Sequence, residues 1–219
     1  IKDINQSKKI HWDLSPESQQ NLCCKLLDEF GRDEDLVIVG KSPHPFSITL
    51  GPNDYRITTR IVLGEPLSSF LATAHEWGHS IYEQGLPSQS HQWFAWPLGQ
   101  ATSMGIHESQ SLFWENRIVK SKSFSKRFFN KFVSAGCSLN NYLELWKSIN
   151  HLESGLNRVE ADELTYGLHI LIRTELEIDL IERGLPVEDI PTEWNKRYDE
   201  LLGIKPSNDS EGCLQDVHW

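Results

Sequence analysis

The sequence predicts a mainly α-helical protein with a small β-hairpin or sheet beside its central helix. Three observations carry that reading. Two long stretches, residues 67–83 and the run that opens at Asn157 and extends to about Arg183, repeat apolar residues at helical spacing. One stretch, residues 42–61, reads as a hairpin around the turn cluster Gly51-Pro52-Asn53-Asp54. No internal repeat or low-complexity segment suggests a solenoid or a disordered tail.

Taken in order, Ser15-Pro16-Glu17 reads as an N-cap, a first-turn proline and a first-turn acid. A helix is expected from there to Phe30, with Leu22, Leu26, Leu27 and Phe30 inward and Gly31 ending it. Residues 36–39 form a short β-rich run. Residues 42–50 and 55–61 flank the turn cluster as a hairpin, and an edge strand there could either hold an extended peptide or merely cap a helical core. Pro66 suits the first turn of the next helix, residues 67–83, and Gly85 its end. Its buried face is expected to carry Leu67, Phe70, Leu71, Ala74, Trp77, Gly78, Ile81 and Tyr82. Residues 86–97 form a loop whose Trp93, Phe94 and Trp96 suit either a pocket lining or packed core. Residues 101–119 are expected to be helical. Two helices follow over 121–150 with a break at Gly136-Cys137-Ser138, and Phe124, Phe128, Phe129, Phe132, Leu143, Leu145 and Trp146 are the expected core. Gly184 and Pro186 end the long helix, and a last helix covers 192–202.

The bulk properties narrow the function classes. A chain of 219 residues suffices for a single domain over residues 1–219, and 38% hydrophobic with 24% charged residues is ordinary for a globular protein. A net charge of −10 argues against a non-specific nucleic-acid partner, which needs clustered Lys and Arg. No apolar run reaches the length of a membrane span, and the start does not read as a signal peptide, so no membrane partner is expected. Cys23, Cys24, Cys137 and Cys213 are scattered without a C-x-x-C, which reads as reduced thiols and a cytoplasmic protein.

The chemistry concentrates in Ala74-His75-Glu76-Trp77-Gly78-His79, an H-E-x-x-H pattern inside the expected buried helix. Positions i and i+4 of a helix lie about 40° apart around the axis, so both imidazoles face one way and can share a metal ion. Glu76 sits where it can take a proton from water on the open coordination position. A catalytic zinc site commonly adds a third protein ligand, and His₂Glu is one such set. Glu108 lies on the following helix, but spacing does not select it over Glu115 or His107.

Six stretches in one order then resemble the carboxypeptidase Taq family of zinc metallocarboxypeptidases: HPF at 44–46, DYRITTR at 54–60, HEWGHSIYEQG at 75–85, GIHESQS at 105–111, RVEADELTYGLHI at 158–170 and QDVHW at 215–219. The resemblance implies a largely helical fold with a deep groove, a divalent metal at its floor, and removal of single residues from free peptide C-termini with broad specificity. It implies His75 and His79 as metal ligands, Glu76 as general base and Glu108, in the HES motif, as third ligand. Zinc is the expected metal, with cobalt as the alternative. His44, Arg158 and His218 fall in other family motifs and are expected to line the groove for substrate. Arg158 is the candidate grip on the terminal carboxylate, because a guanidinium can make two parallel hydrogen bonds to it; a salt bridge to Glu160 or Asp162 is its other reading. A homodimer is implied as well.

The resemblance further implies family segments before Ile1 and after Trp219, the latter with a Gly-Tyr-rich motif that places a tyrosine near the scissile bond. Asn157 stands where an aliphatic residue is usual. The chain therefore reads as the central catalytic portion of a metallocarboxypeptidase. The competing readings are a catalytically incomplete metal-binding fragment and another H-E-x-x-H aminopeptidase or oligopeptidase. The HES and RVEADELTY stretches count against the last.

Overall fold

The computed structural model describes residues 12–87 and 92–215. Its helices are α1 (Pro16–Glu29), α2 (Pro66–Gln84), α3 (Met104–Leu112), α4 (Lys122–Ser134), α5 (Tyr142–Ile149), α6 (Glu163–Ile181) and α7 (Ile190–Leu202). Its strands are β1 (Val37–Lys41), β2 (Ser47–Gly51) and β3 (Asp54–Thr59). The mainly α class with one small sheet is what the sequence predicts. The chain divides into two compact units, one of residues 9–149 and one built on residues 150–219.

In the first unit, Ser15 caps α1 by accepting a hydrogen bond from the Ser18 amide at 3.2 Å, and Leu22, Leu26 and Leu27 are buried. The expected hairpin is present: β2 pairs antiparallel with β3, with Thr49 opposite Tyr55 and Ser47 opposite Ile57. β1 adds to the other edge of β3 in parallel, giving the order β1-β3-β2. Alternation sends Val37, Tyr55 and Ile57 into a core with Leu27 of α1 and Trp77 of α2. Thr59 Oγ1 donates to the Ser69 carbonyl at 3.0 Å, tying the end of β3 to α2.

On its other side α2 buries Phe70 among aromatic rings of α4, with centroids 4.9 Å from Phe132 and 5.8 Å from Phe128. These edge-on contacts suit the ring quadrupoles. Leu14, Leu22, Val119 and Leu145 belong to the same cluster. Gly85 closes α2 with φ −82°, in the right-handed region, so no left-handed cap is used there. Leu143 departs from expectation: it is 41% exposed, and Leu145 and Ile149 supply the buried face of α5.

Residues 101–119 are not one uniform helix. Ser103 caps α3, and after Leu112 the chain widens into a π-helical segment, Phe113–Val119. The amide of Lys120 there reaches back five residues to the Glu115 carbonyl at 3.2 Å.

In the second unit the long helix begins later than the sequence predicts. Arg158–Glu160 is a separate 3₁₀ turn, and Asp162 caps α6 by accepting from the amides of Leu164 and Thr165 at 2.8 and 3.0 Å. α6 and α7 meet over Ile172, Leu176, Trp194, Tyr198 and Leu202. A polar strand runs through this core. The Tyr198 hydroxyl donates to the Leu156 carbonyl at 3.2 Å, so it accepts from Nδ1–H of fully buried His169 at 3.0 Å.

Burial, with Arg173 and Arg158 nearby, lowers the His169 pKa from 6.5 to about 4. The folded state therefore holds the neutral ring, while the unfolded chain protonates first as pH falls. This stability is fully present above about pH 6.5 and is lost on descending to about pH 4, a term of about 3 kcal/mol. Urea unfolding of wild type and His169→Gln across that window should show the wild type losing more stability by about that amount. Parallel pH profiles would refute this.

Candidate metal centre

Pro66 starts α2, and helix-compatible residues carry it through nineteen positions to Gln84. His75 and His79 stand one turn apart on the side that meets α3. Gly78 lets α3 come so near: a Cβ built there would stand 2.5 Å from Ser111 Cα and 2.6 Å from the Gln110 carbonyl oxygen. Any side chain at that position would collide with backbone rather than with a movable group.

This contact delivers Glu108. Its Oε2 lies 3.5 Å from His75 Nε2 and 3.3 Å from His79 Nε2. His75, His79 and Glu108 each offer a ligand atom, all within 4.8 Å of one another, the one cluster of this kind among the described residues. The Ser111 hydroxyl lies 3.2 Å from Glu108 Oε2 and 2.6 Å from the Glu108 carbonyl, steadying the carboxylate on its own helix.

The far ring nitrogen of each histidine is also held. His75 Nδ1 lies 2.9 Å from Glu115 Oε2, and Lys120 Nζ is 3.4 Å from the other Glu115 oxygen. His79 Nδ1 lies 2.6 Å from His107 Nδ1, whose Nε2 is 2.7 Å from Glu83 Oε1. The π-helical segment carries Glu115, and α3 carries His107.

The charges interact strongly. Burial alone would lower the His75 pKa, but hydrogen bonds to Glu108 and Glu115 outweigh it and raise the value to about 10. Burial pushes the Glu108 carboxyl up, yet His75 and His79 hold it well below the ordinary range. Glu115 is likewise held low against its burial, by His75 and Lys120. Glu76 differs. It is 7% exposed, and burial raises its pKa to about 7, with Glu108 and Glu115 adding to the rise and His75 and His107 opposing it. The donor set, two imidazole nitrogens and a carboxylate oxygen backed by further carboxylates, fits a divalent cation.

The profile of the carboxypeptidase Taq (M32) metallopeptidase family matches residues 2–219. This chain belongs to that family. It is 41% identical over 212 residues to thermostable carboxypeptidase 1 of Thermus thermophilus, covering 96% of this chain and 41% of that protein. It is 41% identical over 209 residues to carboxypeptidase 1 of Bacillus subtilis, covering 93% of this chain and 40% of that protein. The solved structure of Pyrococcus furiosus carboxypeptidase superposes with a TM-score of 0.90 at 33% identity, over 96% of this chain and 42% of that one. The chain thus spans about two fifths of the length of the relatives it matches.

Within this M32 chain, the other residues singled out from sequence fall in different places. His44 is exposed on the connection between β1 and β2 in the first unit. Arg158, partly buried, opens the 3₁₀ turn of the second unit. His218 lies outside the described residues. Of the aromatic loop, Trp96 is 61% exposed, whereas Phe94 lines a pocket of about 370 Å³ with Thr49, Glu83, Ala95 and Gln100. Residues 88–91 of that loop are outside the described set.

Sequence reasoning missed the supporting roles of Glu83, His107, Glu115 and Gly78. A signal existed for two of them: Glu83 stands four residues after His79 on the same helical face, and Gly78 is a glycine inside an otherwise strong helix.

Gly78→Ala tests the close approach. Alanine is about 1 kcal/mol better than glycine in a helix interior, so propensity alone predicts stabilisation. The clash should reverse the sign and give a net loss of roughly 1–3 kcal/mol in urea unfolding. A more stable variant would show that α3 does not rest on Gly78.

Proposed function

We propose that this chain carries the catalytic centre of a metallocarboxypeptidase that hydrolyses the last peptide bond of peptides with a free C-terminus. The observation that carries the reading is the convergence of His75 Nε2 and His79 Nε2 on Glu108 Oε2, with buried Glu76 on the same helix. His75, His79 and Glu108 would hold the metal; we assign zinc, with cobalt as the alternative. A divalent ion bound there supplies Lewis acidity at the scissile carbonyl and a lower pKa for its water.

Glu76 is the general base. It takes a proton from the attacking water and passes it to the departing amine, which needs a carboxyl that accepts and releases protons near neutrality. Its raised pKa of about 7 supports that role. We assign substrate binding to His44, Arg158 and His218, with Arg158 holding the terminal carboxylate through paired hydrogen bonds. The support for these three is their place in the family motifs together with side-chain chemistry.

We also propose a cytoplasmic homodimer for the whole protein. The four free thiols, Cys23, Cys24, Cys137 and Cys213, support a reducing compartment. No helix among the described residues is long and apolar enough to cross a membrane.

The test is release of the C-terminal residue from an N-blocked dipeptide with added Zn²⁺ or Co²⁺. Glu76→Gln should lower turnover roughly 100- to 10,000-fold while metal stays bound. Glu108→Gln should lose metal affinity. Activity surviving in Glu76→Gln would overturn the base assignment. Metal-loaded, folded protein without turnover would favour a second reading suggested by its two-fifths span: a metal-binding core that needs more of the family's length to act.

A further inference from the structure

The hydrogen bonds around His79 have a direction set by their far end. Glu83 Oε1 as a carboxylate can only accept, so His107 Nε2, 2.7 Å away, must donate. A His107 ring that carries one proton then has its lone pair on Nδ1. That atom lies 2.6 Å from His79 Nδ1, which must supply the proton between them. A neutral His79 with its proton on Nδ1 has its lone pair on Nε2, the atom 3.3 Å from Glu108 Oε2. The opposite tautomer would leave two lone pairs facing each other across 2.6 Å and would turn an N–H toward the metal position.

The ring planes agree with a built support. His107 lies with its centroid 4.6 Å from that of His79 and 5.3 Å from that of Tyr82, whose ring is nearly perpendicular to it. His107 and Glu83 are both mostly buried, with side chains 17% and 20% exposed. His75 has a carboxylate, Glu115, placed directly on its Nδ1 at 2.9 Å.

We propose that His107, oriented by Glu83, is a positioning residue that fixes the tautomer and ring orientation of His79 and so sets the metal affinity of the site. This rests on the reading of His75, His79 and Glu108 as the metal site. A merely structural His107 would affect folding, whereas a positioning His107 acts on metal binding. Partners that orient ligating histidines typically contribute 10- to 100-fold in metal affinity.

The experiment is Zn²⁺ affinity of the full chain by competition with a chromogenic chelator, with urea unfolding of each metal-free protein alongside. His107→Phe keeps the ring's bulk and removes both nitrogens. It should bind Zn²⁺ roughly 10- to 100-fold more weakly with little change in metal-free stability. His107→Gln, which offers an oxygen to His79 and an N–H to Glu83, should recover much of the loss. Glu83→Gln, which has an amide in place of the obligate acceptor, should fall between wild type and His107→Phe and serves if the phenylalanine variant does not fold. Wild-type affinity in both His107→Phe and Glu83→Gln would overturn the proposal while the metal site stands. Losses in both His107 variants that track lost stability, with no recovery in His107→Gln, would also overturn it. Wild-type protein that binds no Zn²⁺, or Glu108→Gln that binds it undiminished, would overturn the metal-site reading and this inference with it.

Discussion

The backbone-to-backbone contact of α2 and α3 at Gly78 governs the rest of the candidate site. His75 and His79 are fixed by helical geometry alone, but a third donor must arrive from another element. Glu108 arrives because α3 lies against α2 with no side chain between them. The same approach delivers His107 to His79, and the π-helical continuation of α3 delivers Glu115 to His75. One missing Cβ thus sets three side-chain placements. A helix pair at ordinary separation, about 8–10 Å between axes, would have room for side chains at this contact and would hold the carboxylate farther from the imidazoles.

The arrangement is electrostatically costly. Burying carboxylates is unfavourable unless each finds a partner, and pairs of this kind are weak evidence for stability. Glu108 and Glu115 find theirs in imidazoles, and Glu115 also in Lys120. Among the described residues Glu76 makes no hydrogen bond or ion pair of this kind, and burial raises its pKa. Two acids with depressed pKa values stand beside one with a raised value, a difference that environment imposes on identical side chains.

Rigidity behind the site comes from apolar packing on the remaining faces of α2. Phe70 is locked among the α4 phenylalanines and Trp77 against the sheet. Both are fully or almost fully buried. Side chains that must hold sub-ångström relationships are better placed on such an element than on a loop. In the second unit a buried polar chain runs from His169 Nδ1 through the Tyr198 hydroxyl to the Leu156 carbonyl, in a core that carries none of the proposed metal ligands.

The sequence by itself determined whatever depends on neighbours along the chain. The helical class, the hairpin turn, the Ser15 cap and the shared face of His75 and His79 all follow from local spacing and residue chemistry. It did not place the start of α6, because a 3₁₀ turn and the Asp162 cap take over a stretch whose apolar period continues through them. It did not show β1 pairing in parallel with β3, since such a pairing has no local signature. Spacing also left Glu108, Glu115 and His107 as equal candidates for one role, and only the family resemblance separated them. The tertiary structure gives the three different stations: one between the two Nε2 atoms, one at Nδ1 of His75, one at Nδ1 of His79. That distinction depends on how far one helix can approach another, and on which nitrogen of a ring each partner meets. Those are distances in space that no interval in sequence encodes.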